Sequence, residues 1–167
     1  MNFKEVKNAA VSSGVSELIV KKQKGGFSVI HIKMTSGDFT FLVQMEEEKA
    51  PQTCEWFLNL LPFKAQMIQA RWSGQSTFIG LKDLGAGVPY ENPTSHPSKG
   101  EILMYPGKEL SNGEILIPYG GTCFACPRGQ ISGNHFLTII EGNSQLAELG
   151  RKTLYEGAQG ILFEKVV

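Results

Sequence analysis

Apolar and polar residues alternate along several short stretches of this chain, a pattern that is typical of half-buried β-strands. The alternation runs through residues 27–34, a turn-forming Thr-Ser-Gly-Asp follows, and an apolar strand pattern returns over residues 39–45. Together these segments predict a β-hairpin. So many short strands favour a mainly β fold that closes into a barrel, because closure removes exposed strand edges. Further strands are predicted at 66–70, 76–81, 101–105, 114–119, 135–140 and 161–166.

Two segments have helical character instead. Pro51 fits the first turn of one helix, where its missing N–H would have no partner, and Pro62 stops that helix. A second, short helix is predicted over residues 143–149, closed by Gly150. The apolar face of the first helix follows i, i+3, i+4, i+7 spacing and consists of Cys54, Phe57, Leu58 and Leu61.

The pattern divides the chain into two unequal parts. Residues 1–24 stand apart from the alternating segments, and we predict that they form an extension that packs on the barrel. Residues 25–167 are predicted to form the barrel domain. Within it, residues 82–99 contain several glycines and prolines, so we expect a long loop of the kind that often carries function.

Composition narrows the class of protein. The 16 basic and 16 acidic residues cancel, which argues against nucleic acid and against an anionic membrane surface as partners. The sequence has no apolar run of 18 residues and no apolar signal core after Met1. Three cysteines is an odd number, which favours reduced thiols over a disulfide framework. These features predict a globular cytoplasmic protein without a cofactor.

The first helix also carries a family resemblance. Residues 50–60 read Ala-Pro-Gln-Thr-Cys-Glu-Trp-Phe-Leu-Asn-Leu and resemble the A-P-x-T-x-E-x-F-x-x-L helix of the cyclophilins. Residues 100–104 with the Asn-Gly of 112–113, and Gly-Asn-His-Phe-Leu at 133–137, are similar to two further cyclophilin motifs in the same order. Arg71 falls where cyclophilins carry their catalytic arginine. The resemblance implies a cyclophilin-like closed antiparallel barrel with two or three helices.

The residues of the cyclophilin proline pocket are replaced in this chain. Cyclophilins line that pocket with a Phe–Phe pair and a downstream Trp, whereas this chain has Leu116 and Ile117 and no Trp before His135. Tyr105 stands where a small residue would border the pocket. Lowering the barrier of roughly 20 kcal/mol to X–Pro isomerisation needs a fitted apolar pocket and an aimed cation. A weak or vestigial peptidyl-prolyl isomerase acting on peptides is therefore an alternative and not the first expectation.

An uncharacterised bacterial family of small cyclophilin-like proteins is more closely similar. The similarity runs from about Phe39 to Glu164 and implies the same barrel, while it leaves the activity open. The family carries segments similar to residues 61–63, 70–74, 91–92, 100–103, 118–120 and 133–136.

Seven residues are the candidates for a site at the mouth of the barrel. Arg71 and His135 are the candidate catalytic groups, because a guanidinium suits a carboxylate or an amide carbonyl and an imidazole exchanges a proton near neutral pH. Such a set predicts that the protein binds, or transforms, a small polar or anionic molecule. The candidate ligand-binding residues are Trp72, Glu91, Tyr105, Ile117 and Tyr119.

Simpler roles are open for several of these residues. Arg71 could pair with an acid such as Glu91, His135 could be a structural histidine, and Trp72 could serve packing. A protein-interaction module is then the second alternative function. A barrel of this size is also compatible with a homo-oligomer formed through a strand edge or through residues 1–24.

Cys123 and Cys126 form a C-x-x-C pair, which occurs in redox sites and in halves of zinc sites. A redox pair is expected at a helix N-terminus within a βαβ pattern, which this chain lacks. A zinc site would need two more ligands, with His135, His96 or Cys54 as the candidates. Two incidental thiols is the favoured interpretation, so we predict no metal site.

Overall fold

The computed structural model describes residues 29–107 and 112–166 of the chain. The predicted extension over residues 1–24 and the first residues of the predicted strand 27–34 lie outside the described part. The helices are α1 (Pro51–Leu60) and α2 (Leu146–Glu156), and Arg71–Ser73 and Asn143–Gln145 form single 3₁₀ turns. The strands are β1 (His31–Ser36), β2 (Phe39–Met45), β3 (Phe63–Gln69), β4 (Gly74–Lys82), β5 (Pro93–Thr94), β6 (Glu101–Tyr105), β7 (Gly113–Thr122), β8 (Ala125–Cys126), β9 (Gly129–Gln130), β10 (Gly133–Glu141) and β11 (Gln159–Lys165).

Eight antiparallel strands form a closed ring. Their order is β2, β1, β11, β3, β4, β7, β6, β10, and β10 pairs with β2 to complete the ring. β5 adds two residues beside β10, and β8 and β9 form a separate small hairpin. The predicted hairpin of β1 and β2 is present, with Ser36 opposite Phe39. The predicted mainly β fold, a closed antiparallel barrel with two helices, is therefore confirmed.

The interior of the barrel holds the main apolar core. α1 contributes Phe57, which is fully buried and meets the rings of Phe136 and Phe163 edge-on at centroid distances of 5.2 and 5.3 Å. α2 adds Leu146 and Leu149 to the same core. Because strand residues alternate between faces, every second residue of β4, β6 and β7 joins this core, namely Ile79, Leu81, Ile102, Met104, Ile115 and Ile117.

None of the described helices is long and apolar enough to cross a membrane.

The outer face of β6 and β7 is covered as well, and Phe78 of β4 packs against the same cover. The intervening residues Leu103, Tyr105 and Leu116 are buried there and form a second apolar cluster. Phe124 and Ile131, which flank the β8–β9 hairpin, belong to this cluster and lie over it. We call this segment, residues 123–131, the covering segment.

Ser73 fixes the covering segment to the barrel. Its hydroxyl donates to the carbonyl of Ala125 at 3.0 Å and accepts the N–H of the same residue at 3.1 Å. The carbonyl of Ser73 accepts the N–H of Cys123 at 3.0 Å. The 3₁₀ turn that carries Arg71 and Trp72 is therefore held next to the covering segment.

The second helix differs from its prediction in both bounds. α2 begins after the 3₁₀ turn Asn143–Gln145, continues through Gly150, and is followed by Gly157, which has φ of 91°. A Cβ at Gly150 would overlap the ring of Tyr119 on β7. The glycine at position 150 therefore marks close packing of α2 on the barrel, and the prediction that it ends the helix is wrong.

We predict that Gly150→Ala lowers the free energy of unfolding, by about 1 kcal/mol or more. Alanine is the better helix former by roughly 1 kcal/mol, but the added methyl overlaps the Tyr119 ring, and overpacking typically costs about 1–3 kcal/mol. Urea unfolding followed by circular dichroism measures the change. Arg151→Ala, at an exposed position of the same helix, is the control and should stay within about 0.5 kcal/mol of the native protein. An undiminished stability of Gly150→Ala would contradict the close packing.

Candidate functional site

The order of strands separates the two candidate catalytic residues. Arg71 is exposed in the 3₁₀ turn between β3 and β4, whereas His135 is half-buried in β10. β3 and β10 occupy opposite positions in the eight-strand ring, with three strands between them on either side. A shared pocket for the two residues stays a prediction, as do separate roles for them.

His135 takes part in a half-buried hydrogen-bond network. Its Nε2 lies 2.9 Å from Oγ1 of Thr138, and that hydroxyl donates a 2.6 Å hydrogen bond to Glu46. Because the single hydroxyl hydrogen goes to Glu46, Nε2 carries the hydrogen that it shares with Thr138. Burial opposes ionisation of Glu46, but the hydrogen bond from Thr138 and the charges of Lys49 and His135 outweigh it and lower its pKa. The protein itself supplies a partner to each of these groups.

Glu91 caps the N-terminus of α1. Its carboxylate accepts the N–H groups of Gln52 and Thr53 at 3.0 and 2.9 Å, and the Thr53 hydroxyl at 2.9 Å. The first N–H groups of a helix have no partner within the helix, and negative charge is favourable there. Burial raises the pKa of Glu91, but these hydrogen bonds outweigh burial and lower it. The carboxylate therefore fastens the long loop to α1.

Three other predicted ligand-binding residues are buried at separate places. Tyr105 lies beneath the covering segment, where its ring meets that of Phe124 edge-on at 6.3 Å. Ile117 and Tyr119 belong to the barrel core, and the Tyr119 hydroxyl donates a 3.0 Å hydrogen bond to Gln69. A role of these side chains in ligand binding stays a prediction.

Trp72 borders a surface pocket of about 270 Å³. The pocket lies between β4, β7 and the covering segment, and we call it the Glu114 pocket. Trp72 is 46% exposed, and its ring lies 5.4 Å from that of Phe78. Gly80 leaves the floor open, because a Cβ built there meets no atom within 4 Å. The lining residues are Trp72, Phe78, Gly80, Lys82, Asn112, Gly113, Glu114, Cys126 and Pro127.

Glu114 is the functional candidate that the sequence reasoning missed. It lines the pocket and is only 5% exposed, and its Oε1 has no hydrogen-bond donor among residues 29–107 and 112–166. Burial raises the pKa of this carboxyl from 4.5 to about 7. Buried acids without a donor are costly, and strongly shifted pKa values concentrate at functional sites. The carboxyl can receive a donor or a cation from a ligand, and it can exchange a proton near neutral pH.

One signal in the sequence does point to Glu114. It shares a strand face with Leu116, while Ile115 and Ile117 occupy the other face, so both faces of β7 are apolar. Strands of that kind are covered on both sides. An acid on such a face is expected to be buried, although the pattern does not say what buries it.

The cysteines do not form a metal site in the described part of the chain. Cys54 and Cys126 are buried and Cys123 is exposed. Cys126 lines the Glu114 pocket, and its sulfur accepts the N–H of Arg128 at 3.4 Å. Residues 29–107 and 112–166 contain no cluster of three or more His, Cys, Asp or Glu side chains that could hold a metal ion.

Comparison with known proteins gives one family match and similarity to solved structures. The family model described as "Protein of unknown function (DUF3830)" matches residues 32–165. A structure of McbB in complex with tryptophan is similar with a TM-score of 0.62 and 17% identity, over 80% of this chain and 44% of that chain. The solution structure of the hypothetical protein AF2241 from Archaeoglobus fulgidus has a TM-score of 0.50 and 14% identity, over 86% of this chain and 100% of that chain. No curated protein matches the chain.

These structural similarities concern the fold alone, because the sequence identities are 17% and 14%. The chain spans less than half the length of the McbB chain that it matches.

We predict that Glu91→Gln lowers the free energy of unfolding by about 1 kcal/mol at neutral pH, as loss of a helix cap does. The pKa of Glu91 is lower in the folded state than its ordinary 4.5. Its stabilising contribution is therefore present above about pH 4.5 and is lost as the pH falls through the folded pKa. Urea titrations at several pH values should show the difference at pH 7 and its disappearance in acid. Glu55→Gln, at an exposed position of α1, should show neither effect.

We predict the opposite sign for Glu114→Gln, which should stabilise the protein at pH 8. The folded pKa of Glu114 is raised to about 7. Below about pH 4.5 the Glu114 carboxyl is protonated in both the folded and the unfolded protein. Between that pH and about 7 only the unfolded protein loses this proton, which favours unfolding. At higher pH the carboxyl therefore lowers the free energy of unfolding by up to about 3 kcal/mol. Thermal unfolding from pH 4 to pH 8 measures the gain, which should vanish in acid. Equal stability of Glu114→Gln and the native protein at every pH would contradict the burial of an unpaired acid. Glu164→Gln, at an exposed position of β11, is the control and should not show this gain.

Proposed function

We propose that this chain, which belongs to the family of proteins of unknown function DUF3830, binds a small molecule in the Glu114 pocket. The observation that carries the proposal is the buried Oε1 of Glu114, which has no donor among the described residues although its side chain lines a pocket. Native proteins pair nearly all of their buried polar atoms. A pocket that contains such an unpaired carboxyl favours a ligand that supplies the donor.

The remaining composition of the pocket supports the same proposal. Small-molecule sites are concave, mostly apolar, and have a few polar groups that orient the ligand. Trp72 and Phe78 supply the apolar walls, Gly80 leaves space, and Glu114 and Lys82 are the charged groups. The proposal keeps the predicted class of function, binding of a small molecule, and moves its site from Arg71 and His135 to Trp72 and Glu114. If the bound molecule is also transformed, Glu114 is the group suited to move a proton.

Isomerase activity is not part of the proposal. The cyclophilin resemblance implies that Leu116 stands at the place of a proline-pocket aromatic, with Tyr105 beside it. Both side chains are buried in the outer cluster together with Phe124 of the covering segment. An extended peptide could not reach them without displacement of that segment. A likeness to cyclophilins stays a proposal about the fold, supported by a helix with their motif that closes an eight-strand barrel.

Membership in a family without an assigned activity is confirmed by the match over residues 32–165. The bacterial source, the cytoplasmic location, the homo-oligomer and the protein-interaction alternative stay predictions from the sequence.

A thermal-shift screen of the full chain tests the proposed function. The compounds are small amines, alcohols, amides, carboxylates and nucleosides, with tryptophan included because McbB was solved in complex with it. A ligand at about 100 times its dissociation constant should stabilise the fold by about 2.7 kcal/mol, which is readily detected. We expect at least one class of compound to raise the melting temperature.

Two glycine variants then locate the site. Gly80→Leu places a side chain in the open floor of the pocket and should weaken each hit about tenfold or more while the fold is retained. Gly160→Leu is the matched control, because Gly160 is an exposed strand glycine on β11, does not line the pocket, and has its nearest neighbouring atom at 4.0 Å. Hits that bind Gly80→Leu with unchanged affinity, or a screen without hits, would refute the proposal.

A further inference from the structure

We infer that the ligand of the Glu114 pocket is a compact organic cation, an ammonium group on a short apolar body, which binds between the Trp72 ring and the Glu114 carboxyl. The inference rests on the proposed function and specifies the class of its ligand. Three properties of the pocket support it: its uncompensated acid, its exposed aromatic wall and its size.

The charge of the pocket favours a positive ligand. Glu114 is only 5% exposed. Its Oε1 is closed off from solvent and has no donor in the described part of the chain, so a ligand in the pocket meets the carboxyl through its other oxygen. Lys82 also lines the pocket, where it pairs with Gly113 along the strands, but no ion pair joins it to Glu114 within the described residues. A buried carboxylate is stabilised when a cation with N–H donors approaches it, whereas a neutral ligand leaves its charge uncompensated.

The aromatic wall favours the same class of ligand. A cation within about 6 Å of a tryptophan ring centroid is attracted to the negative face of the ring, and tryptophan is the strongest such partner. Trp72 is almost half exposed, and contact with Phe78 at 5.4 Å holds its ring at the pocket. An alcohol can donate a hydrogen bond to Glu114, but it gains much less from the ring.

The size of the pocket indicates the size of the ligand. Drug-sized molecules occupy sites of roughly 300–1,000 Å³, and the Glu114 pocket has about 270 Å³. An amine with one ring or a short alkyl chain fits this space. An ionised Glu114 would repel an anion of the same size, and the attraction of such an anion to Lys82 is weaker because Lys82 is exposed to water.

Binding of a cation should also depend on pH. Among residues 29–107 and 112–166, the titratable side chains around Glu114 are Lys82 on β4, Tyr105 opposite it on β6, and Cys126 on β8. Burial raises the pKa of Glu114 to about 7, so the carboxylate form that binds a cation predominates at about pH 8 and is scarce at about pH 5.5. The affinity for an amine should therefore rise across this range, while the affinity for an alcohol should not.

Three probes with one phenyl ring test the inference: benzylamine, benzyl alcohol and benzoate. Isothermal titration calorimetry of the full chain gives their dissociation constants at about pH 8 and about pH 5.5. We expect benzylamine to bind about tenfold or more tightly than benzyl alcohol at the higher pH, and benzoate more weakly than the alcohol. The preference for the amine should fall to about threefold or less at the lower pH, because Glu114 is then protonated.

Two variants assign the preference to the carboxyl. Glu114→Gln should abolish the preference for benzylamine and leave the dissociation constant of benzyl alcohol within about threefold, because the shape of the side chain is kept. Glu164→Gln removes an exposed carboxylate on β11 and should leave the preference intact. Circular dichroism confirms that both variants are folded.

Each other outcome overturns a distinct statement. Equal binding of the amine and the alcohol, both weakened by Gly80→Leu, would refute the cationic ligand and leave the proposed function standing. A preference for benzoate would also refute the cationic ligand and would assign ligand recognition to Lys82. No binding of any probe at about 10 mM would refute a cation of this size. A screen hit sensitive to Gly80→Leu would still support the pocket, whereas a blank screen would refute both statements.

Discussion

Hydrogen bonding between β2 and β10 is the constraint on which the rest of the structure depends, because it turns a row of eight strands into a closed ring. Once the ring is closed, alternate side chains must point inward, and apolar residues pack the interior together with α1 and α2. Closure also decides which strands are neighbours and which are opposite. β3, which precedes the turn with Arg71, and β10, which carries His135, occupy opposite positions in the ring for this reason.

The apolar cover of the outer surface ends beside Glu114. The covering segment buries one face of β6 and β7 through Phe124 and Ile131, and Glu114 lies at the margin of that cover. The acid is therefore removed from water without gaining a donor from the described residues. Natural proteins tolerate such a local loss of stability mainly where function needs it, since selection retains a fold that stays above its stability threshold.

Several polar side chains of the described chain have structural roles. Glu91 caps α1, and Asn134 donates to the Thr53 hydroxyl and to the carbonyl of Pro89, at 2.9 and 2.7 Å. Trp56 donates a 2.7 Å hydrogen bond to the carbonyl of Leu84 and fastens the other end of the same loop. Residue type alone does not separate these groups from a binding residue. The state of their hydrogen bonds does, because a group whose partners lie within the protein has little left to offer a ligand.

The sequence by itself determined the local structure: β2 and β6 have the predicted bounds, and α1 begins at Pro51 as expected. Strand alternation, turn residues and proline geometry act over a few residues, so they can be interpreted without knowledge of the fold. The tertiary structure alone decided the rest. Gly150 lies inside α2 because a ring from β7 packs against it, and Glu114 is buried because a segment beyond the end of its own strand covers that face. Such pairings join residues that are distant along the chain, and no local pattern encodes which of them will meet.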